Sequence, residues 1–177
     1  MDFYPLADAF SKYVAATSHA KSKLKQWTAS KHDFTGQAGW NLLALLALND
    51  PELPDAFFAP YLKTIEFGIH KAPNRTRHAM NHALIAIGTR NPDLTEAALK
   101  IAGKIGKVEV DHGETGCVTP DATAYIQKTL ARRAKKLAKE KAGAKSSPRS
   151  AATRPAAKHT KAKHTKAKKR LRTRPQP

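Results

Sequence analysis

The chain has a single cysteine, Cys117, in 177 residues. No disulfide can close within it, so the sequence reads as a protein that folds by packing alone, in a reducing compartment. There are two tryptophans, and aromatic residues make up 7% of the chain. That is too few for the row of exposed stacking platforms that single-strand binders use. Long apolar runs are missing as well. The longest, "LLALLAL" at 42–48, falls far short of the ~18–20 residues of a membrane span, and no membrane partner is expected. The opening "MDFYPLADAF" carries two aspartates and no basic residue, which does not fit a secretory signal. Strand-like alternation is scarce, and "KVEVD" at 107–111 is its best example. No Gly-rich phosphate loop, dinucleotide fingerprint or catalytic-triad motif appears, and no cofactor is expected.

Acidic residues are few and unevenly spread. The net charge is +18, from 32 Lys and Arg against 14 Asp and Glu. From Ala131 onward 18 cations face one acid, Glu140, whereas residues 1–130 hold 14 cations and 13 acids. The chain therefore divides into a near-neutral helical domain over 1–130, a basic extension of the last helix over 131–143, and a tail over 144–177. In the tail the unit "KHTKA" occurs at 158–162 and again at 163–167. Such a composition cannot bury enough apolar surface to offset an ordering cost of ~1–2 kcal/mol per residue, so disorder is expected there. Charge this dense calls for a polyanion. Lys158, Lys161, Lys163, Lys166, Lys168, Lys169 and Arg170 are the tail's candidate contacts to DNA phosphates. An anionic membrane fits less well, because no amphipathic apolar face accompanies the charge. In a bacterium the protein would sit with the nucleoid in the cytoplasm. In a eukaryote "KAKKRLR" (166–172) would read as a nuclear import signal.

Within the body the apolar residues recur with helical period, predicting helices near 5–25, 34–49, 54–71, 74–90, 94–106 and 120–142. Asn49-Asp50-Pro51, Pro73-Asn74 and Asn91-Pro92-Asp93 punctuate them. The pair over 34–71 is followed by a pair over 74–106, a spacing of about 40 residues that suits HEAT-type helical hairpins. The expected fold is all-α, a HEAT-like α-solenoid whose exposed end faces favour self-association.

The helix start "APNRTRHAMNHALIAIG" (72–88) has its charges at the wrong end. Asn74 reads as the N-cap, yet the first turn holds Arg75 and Arg77 and no carboxylate. The helix dipole disfavours each cation there by roughly 0.3–1 kcal/mol. With Met80 inward, Ala83, Leu84 and Ile87 share its side. Arg75, His78, His82 and Thr89 face outward, and Arg77, Asn81 and Gly88 lie on a flank. Free backbone N–H groups at a helix start, with Lys71, Arg75 and Arg77 nearby, would make an anion site. Lys71, Asn74, Arg75, Arg77, His78 and His82 are therefore candidate DNA-binding residues.

The loop "KVEVDHGETGCVTP" (107–120) gathers Glu109, Asp111, His112, Glu114 and Cys117. A carboxylate here could serve as a catalytic group, and Asp111, beside the turn, is the catalytic candidate. A purely structural loop remains the other reading. No metal site is expected: His112 and Cys117 are too few, and "HAMNH" lacks the glutamate of a zinc protease helix. Trp40 falls in the apolar pattern of its helix. Trp27 follows Lys21, Lys23 and Lys25, so it is a candidate contact to DNA as well as a packing residue.

Three stretches, "WTASKHDFTGQAGWNLLALLAL" (27–48), "IHKAPNRTRHAMNHALIAIG" (69–88) and "AGKIGKVEVDHGETGCVTPDATAYI" (102–126), resemble the DNA alkylation repair family. That family comprises HEAT-like-repeat proteins and includes AlkD-type DNA glycosylases. The resemblance spans roughly residues 25–130. It implies an α-solenoid with a concave basic face for double-stranded DNA. In active members it also implies excision of alkylated purines such as 3-methyladenine and 7-methylguanine, without metal or cofactor. Family members commonly carry paired arginines soon after the first tryptophan, where this chain reads Thr35-Gly36-Gln37. Two other readings stay open: a catalytically inactive DNA scaffold, and a HEAT-like protein–protein adaptor with a nucleic-acid-binding tail.

Overall fold

The computed structural model describes residues 4–145, and among these every regular element is helical. There are seven α-helices: α1 (Tyr4–Ala15), α2 (Ala20–Thr28), α3 (Asp33–Asn49), α4 (Ala59–Gly68), α5 (Asn74–Gly88), α6 (Pro92–Ile105) and α7 (Ala122–Lys145). Single 3-10 turns at Asp55–Phe57 and Ile69–Lys71 flank α4. The tail candidates Lys158, Lys161, Lys163, Lys166, Lys168, Lys169 and Arg170 lie outside the described residues. No described helix is long and apolar enough to cross a membrane.

The helices form two rows. α1, α3, α5 and α7 pack side by side in that order, and α4 packs on α6 behind them. The middle of the front row is the core of the protein. Trp40, Leu42, Leu43, Leu84 and Ile87 are fully buried there. Burial of such side chains contributes roughly 1.5–3 kcal/mol each. Gly88 sets the spacing of three helices. A Cβ on it would come within 2.6 Å of Ile126 on α7 and 2.8 Å of Ala98 on α6.

Two expected helices are broken. The stretch 5–25 divides between α1 and α2 at Ala16–His19, where the Thr17 side chain offers the backbone other partners. The Thr17 hydroxyl donates to the Val14 carbonyl (2.9 Å) and accepts the His19 N–H (3.3 Å). The stretch 54–71 holds α4 only over Ala59–Gly68. The segment 107–111 runs without a strand partner and joins α6 to α7 as an irregular loop.

Candidate nucleic-acid interface

The first turn of α5 answers the problem of its misplaced arginines. A carboxylate is present, but it comes from the neighbouring helix. Asp33, in the first turn of α3, accepts the N–H of Arg75 at 3.0 Å and that of Thr76 at 2.6 Å. The Thr76 hydroxyl donates to the Asp33 carbonyl at 2.9 Å. The expected anion site at this helix start is therefore filled from within the protein. Gly36 makes the approach of the two helix starts feasible, since a Cβ there would collide with the Thr76 hydroxyl.

Three further candidates have structural work. Asn74 is not a conventional cap. Its side-chain amide donates to the Asp111 carbonyl (2.6 Å), and its side-chain oxygen accepts the Asp111 N–H (2.8 Å), so it pins the loop to α5. Arg77 clamps the same loop, donating to the carbonyls of Glu109 (2.9 Å) and Ala72 (3.0 Å). Its guanidinium is spent on backbone rather than displayed to a ligand. Trp27 packs between helices: its ring lies 5.5 Å from that of Phe10, and a Cβ on Gly39 of α3 would come within 2.7 Å of the Trp27 backbone. Lys71 stays exposed. Asp111 lies on the far side of the loop beside Asn74 and Arg77, where its carboxylate accepts the N–H of Gly113 at 2.8 Å and holds a turn with φ +63°.

The outward stripe of α5 has a different fate. Arg75, His78 and His82 line a groove that runs along the exposed face of the front row. Thr89, expected on the same stripe, is instead buried, with its hydroxyl donating to the Ala86 carbonyl. Asp8 and Lys12 of α1 form one wall, with Asn41, Ala44 and Leu48 of α3 beside them. Tyr125, Thr129, Arg132, Arg133 and Lys136 of α7 form the other wall. Five cations thus face this groove against the single carboxylate of Asp8. A body that is neutral on average is basic where it is concave.

At one end the groove deepens to a cavity of about 400 Å³ between Asp8, Arg75, three histidines and the 112–120 loop. Asp8 is fixed there by the side-chain amides of Gln37 (2.8 Å) and Asn41 (2.6 Å), one turn apart on α3. The His78 ring stands 5.2 Å from that of His82 and edge-on, at 5.3 Å, to that of His112. Burial lowers the pKa of His78 to about 4, helped by the charges of His82, His112 and Arg75 and opposed by Asp8. Burial also lowers that of His82, although the ring keeps an exposed edge, and Asp8 again opposes. At neutral pH both rings are uncharged and offer hydrogen bonds rather than charge. Among the described residues no three His, Cys, Asp or Glu side chains are placed to share a metal ion.

The α7 cations were visible in the sequence only as part of a basic extension, and Asp8, Gln37 and Asn41 gave no signal as a group. A polar Gln37 on so apolar a helix was the one available hint. Its partner lies 29 residues away, a distance that no spacing rule covers.

A two-row helical stack with a cationic groove along one row has the form of a helical-repeat protein. The family is then specific: the model for the DNA alkylation repair enzymes matches residues 5–126, and the chain belongs to that family. It is 36% identical over 104 residues to an uncharacterised protein of Listeria innocua, covering 59% of this chain and 44% of that protein. An uncharacterised protein of Listeria monocytogenes is 34% identical over 125 residues, covering 71% of this chain and 52% of that protein. Among solved structures, one matches with a TM-score of 0.68 and 29% identity, covering 74% of this chain and 57% of the other. It is described as a new family of proteins related to the HEAT-like repeat DNA glycosylases with affinity for branched DNA structures. The fold is therefore HEAT-like. The chain spans about half the length of these relatives. The family match ends within α7, so Arg132, Arg133 and Lys136 lie beyond it.

Proposed function

We propose that the protein binds double-stranded DNA along the groove, with Arg75 near one end, the α7 cations along the other wall, and the tail adding sequence-independent affinity. The observation that carries this reading is the concentration of cations on the concave face of a near-neutral body. Exposed Leu48 and Tyr125 in the same groove offer apolar contact to sugar faces. The affinity for branched DNA of the solved relative makes junctions a natural substrate to compare with linear duplex. Linear and four-way-junction DNA would be titrated over a range of salt with wild-type protein and with Arg132→Glu/Lys136→Glu. The double variant is expected to bind at least tenfold more weakly, with a salt slope smaller by roughly two. Unchanged affinity and slope would assign all binding to the tail and leave the groove without a role.

A second reading is excision of alkylated purines, and a specific feature favours it. Asp8 presents an anchored carboxylate in the groove, as stabilisation of a deoxyribose cation requires when an alkylated, already cationic purine leaves C1′. Asp111 is the alternative carboxylate, on the loop. Methylated duplex would be incubated with wild type, Asp8→Asn and Asp111→Asn, and free 7-methylguanine and 3-methyladenine measured by mass spectrometry. Release lost only in Asp8→Asn assigns the chemistry to the groove. Loss only in Asp111→Asn assigns it to the loop. No release by wild type leaves a protein that holds DNA without cutting it.

A further inference from the structure

Between α3, α5 and α7 the groove opens into a cavity of about 590 Å³, within the roughly 300–1,000 Å³ of small-molecule sites. α3 and α7 flank α5 in the row, and Ala44 on α3 and Ala86 on α5 are too small to fill the space between them. With Ile85 they are buried and make an apolar floor. Leu48 of α3 and Tyr125 of α7 also line the cavity, and they keep 54% and 48% exposure. Neither belongs to the core. Arg132, Arg133 and Lys136 of α7 add three cations to the same cavity. Arg133 is anchored, its guanidinium donating to the Thr89 carbonyl. Lys136 has a solvent-exposed ion pair with Glu140 at 3.9 Å, which holds it weakly. Among the described residues no carboxylate lines this cavity.

We propose that this cavity receives an unpaired nucleobase, whose ring lies against Tyr125 while the neighbouring phosphates meet Arg132 and Lys136. The inference rests on the reading of the groove as a DNA site. The chemistry of the walls selects the occupant. An apolar floor beside a row of cations fits a body that is flat and apolar at its centre and anionic at its edges. On a DNA strand that body is a nucleotide whose base has left its pair. A paired duplex cannot supply one, because its bases are stacked inside and only sugars would cross the opening. A phosphate alone would meet the cations and leave Leu48, Tyr125 and the floor in water, whereas a base covers that apolar surface. The floor carries no side-chain donor or acceptor with which to tell one base from another. Recognition would therefore be by stacking, tolerant of sequence and selective for the unpaired state. Bulges and branch points expose such bases, so the cavity would give the groove a preference for them over linear duplex.

The test uses full-length protein and three labelled duplexes of one sequence, titrated by fluorescence anisotropy. One is fully paired, one carries a single unpaired adenine, and one carries an abasic site in place of that adenine. The abasic bulge keeps the flexibility of the DNA and removes only the base. Wild type is expected to bind the adenine bulge at least fivefold more tightly than the abasic bulge. That ratio should fall to about one in Tyr125→Ser and persist in Tyr125→Phe, which keeps the ring. Leu48→Gln, on a different helix, should lower it in the same direction, and helical circular dichroism checks that each variant folds. Equal affinity of wild type for the two bulges would overturn the proposal. So would a ratio that Tyr125→Ser and Leu48→Gln both leave intact, or one that Tyr125→Phe abolishes. The DNA-binding reading fails separately: its sign is a paired duplex whose affinity does not respond to Arg132→Glu/Lys136→Glu, whereas the present inference is read from the ratio of the two bulges.

Discussion

His78 shows how one residue can serve a groove while opposing the fold at acid pH. Its pKa in the folded protein is about 4, below the ordinary 6.5, chiefly because burial penalises the imidazolium. The folded state therefore binds fewer protons than the unfolded state between these values. Stability is complete above about 6.5 and is lost as pH falls toward about 4. The lowered pKa of His82 acts in the same direction. In His78→Gln the fall in thermal midpoint over this window should be shallower than in wild type. Parallel pH profiles would show that His78 does not carry the linkage. The outward placement of this histidine was readable from helical periodicity, since it lies two residues before Met80. Its neutrality was not, because that depends on His82, His112 and surrounding atoms that only packing brings near.

At the scale of elements, α5 is held at its start by contacts from two other segments. Asp33 supplies the cap that its own first turn lacks, and Asn74 and Arg77 tie down the loop that leads to α7. Asp33→Ala removes both acceptors for the Arg75 and Thr76 N–H groups, so it should cost about 1–2 kcal/mol and lower the thermal midpoint by several degrees. An unchanged midpoint would mean that water replaces the carboxylate without loss. The sequence pointed to an external phosphate at this site. It could not say that the anion was internal, because the partner is 42 and 43 residues away in the chain. The break between α1 and α2 is a different matter. Thr17 was visible, but helical period on both sides hid a turn made by its hydroxyl.

Across the whole molecule, charge is placed in two ways. The groove holds its cations at fixed positions on α1, α5 and α7, whereas residues 146–177 carry theirs as a dense run in sequence. Under the DNA-binding reading these contribute differently. Ending the chain at Lys145 should reduce affinity and salt slope for all DNAs alike, and leave intact any preference between junction and linear duplex. A preference that vanishes with the tail would remove the groove from recognition.

Composition and period by themselves determined that the described body is all helical, with boundaries near those observed for α3, α5, α6 and α7, and which face of α5 is buried. They also determined that positive charge accumulates after residue 130. These properties are local: they follow from the repeat of apolar side chains along one helix, or from counting. Only the tertiary structure decided that Arg77 and Asn74 brace a loop, that Trp27 packs against Phe10, and that Asp8 meets three histidines from two other segments. Such contacts join residues about 20 to 100 positions apart. Their geometry is fixed by how the two rows of helices stack, which no single helix encodes.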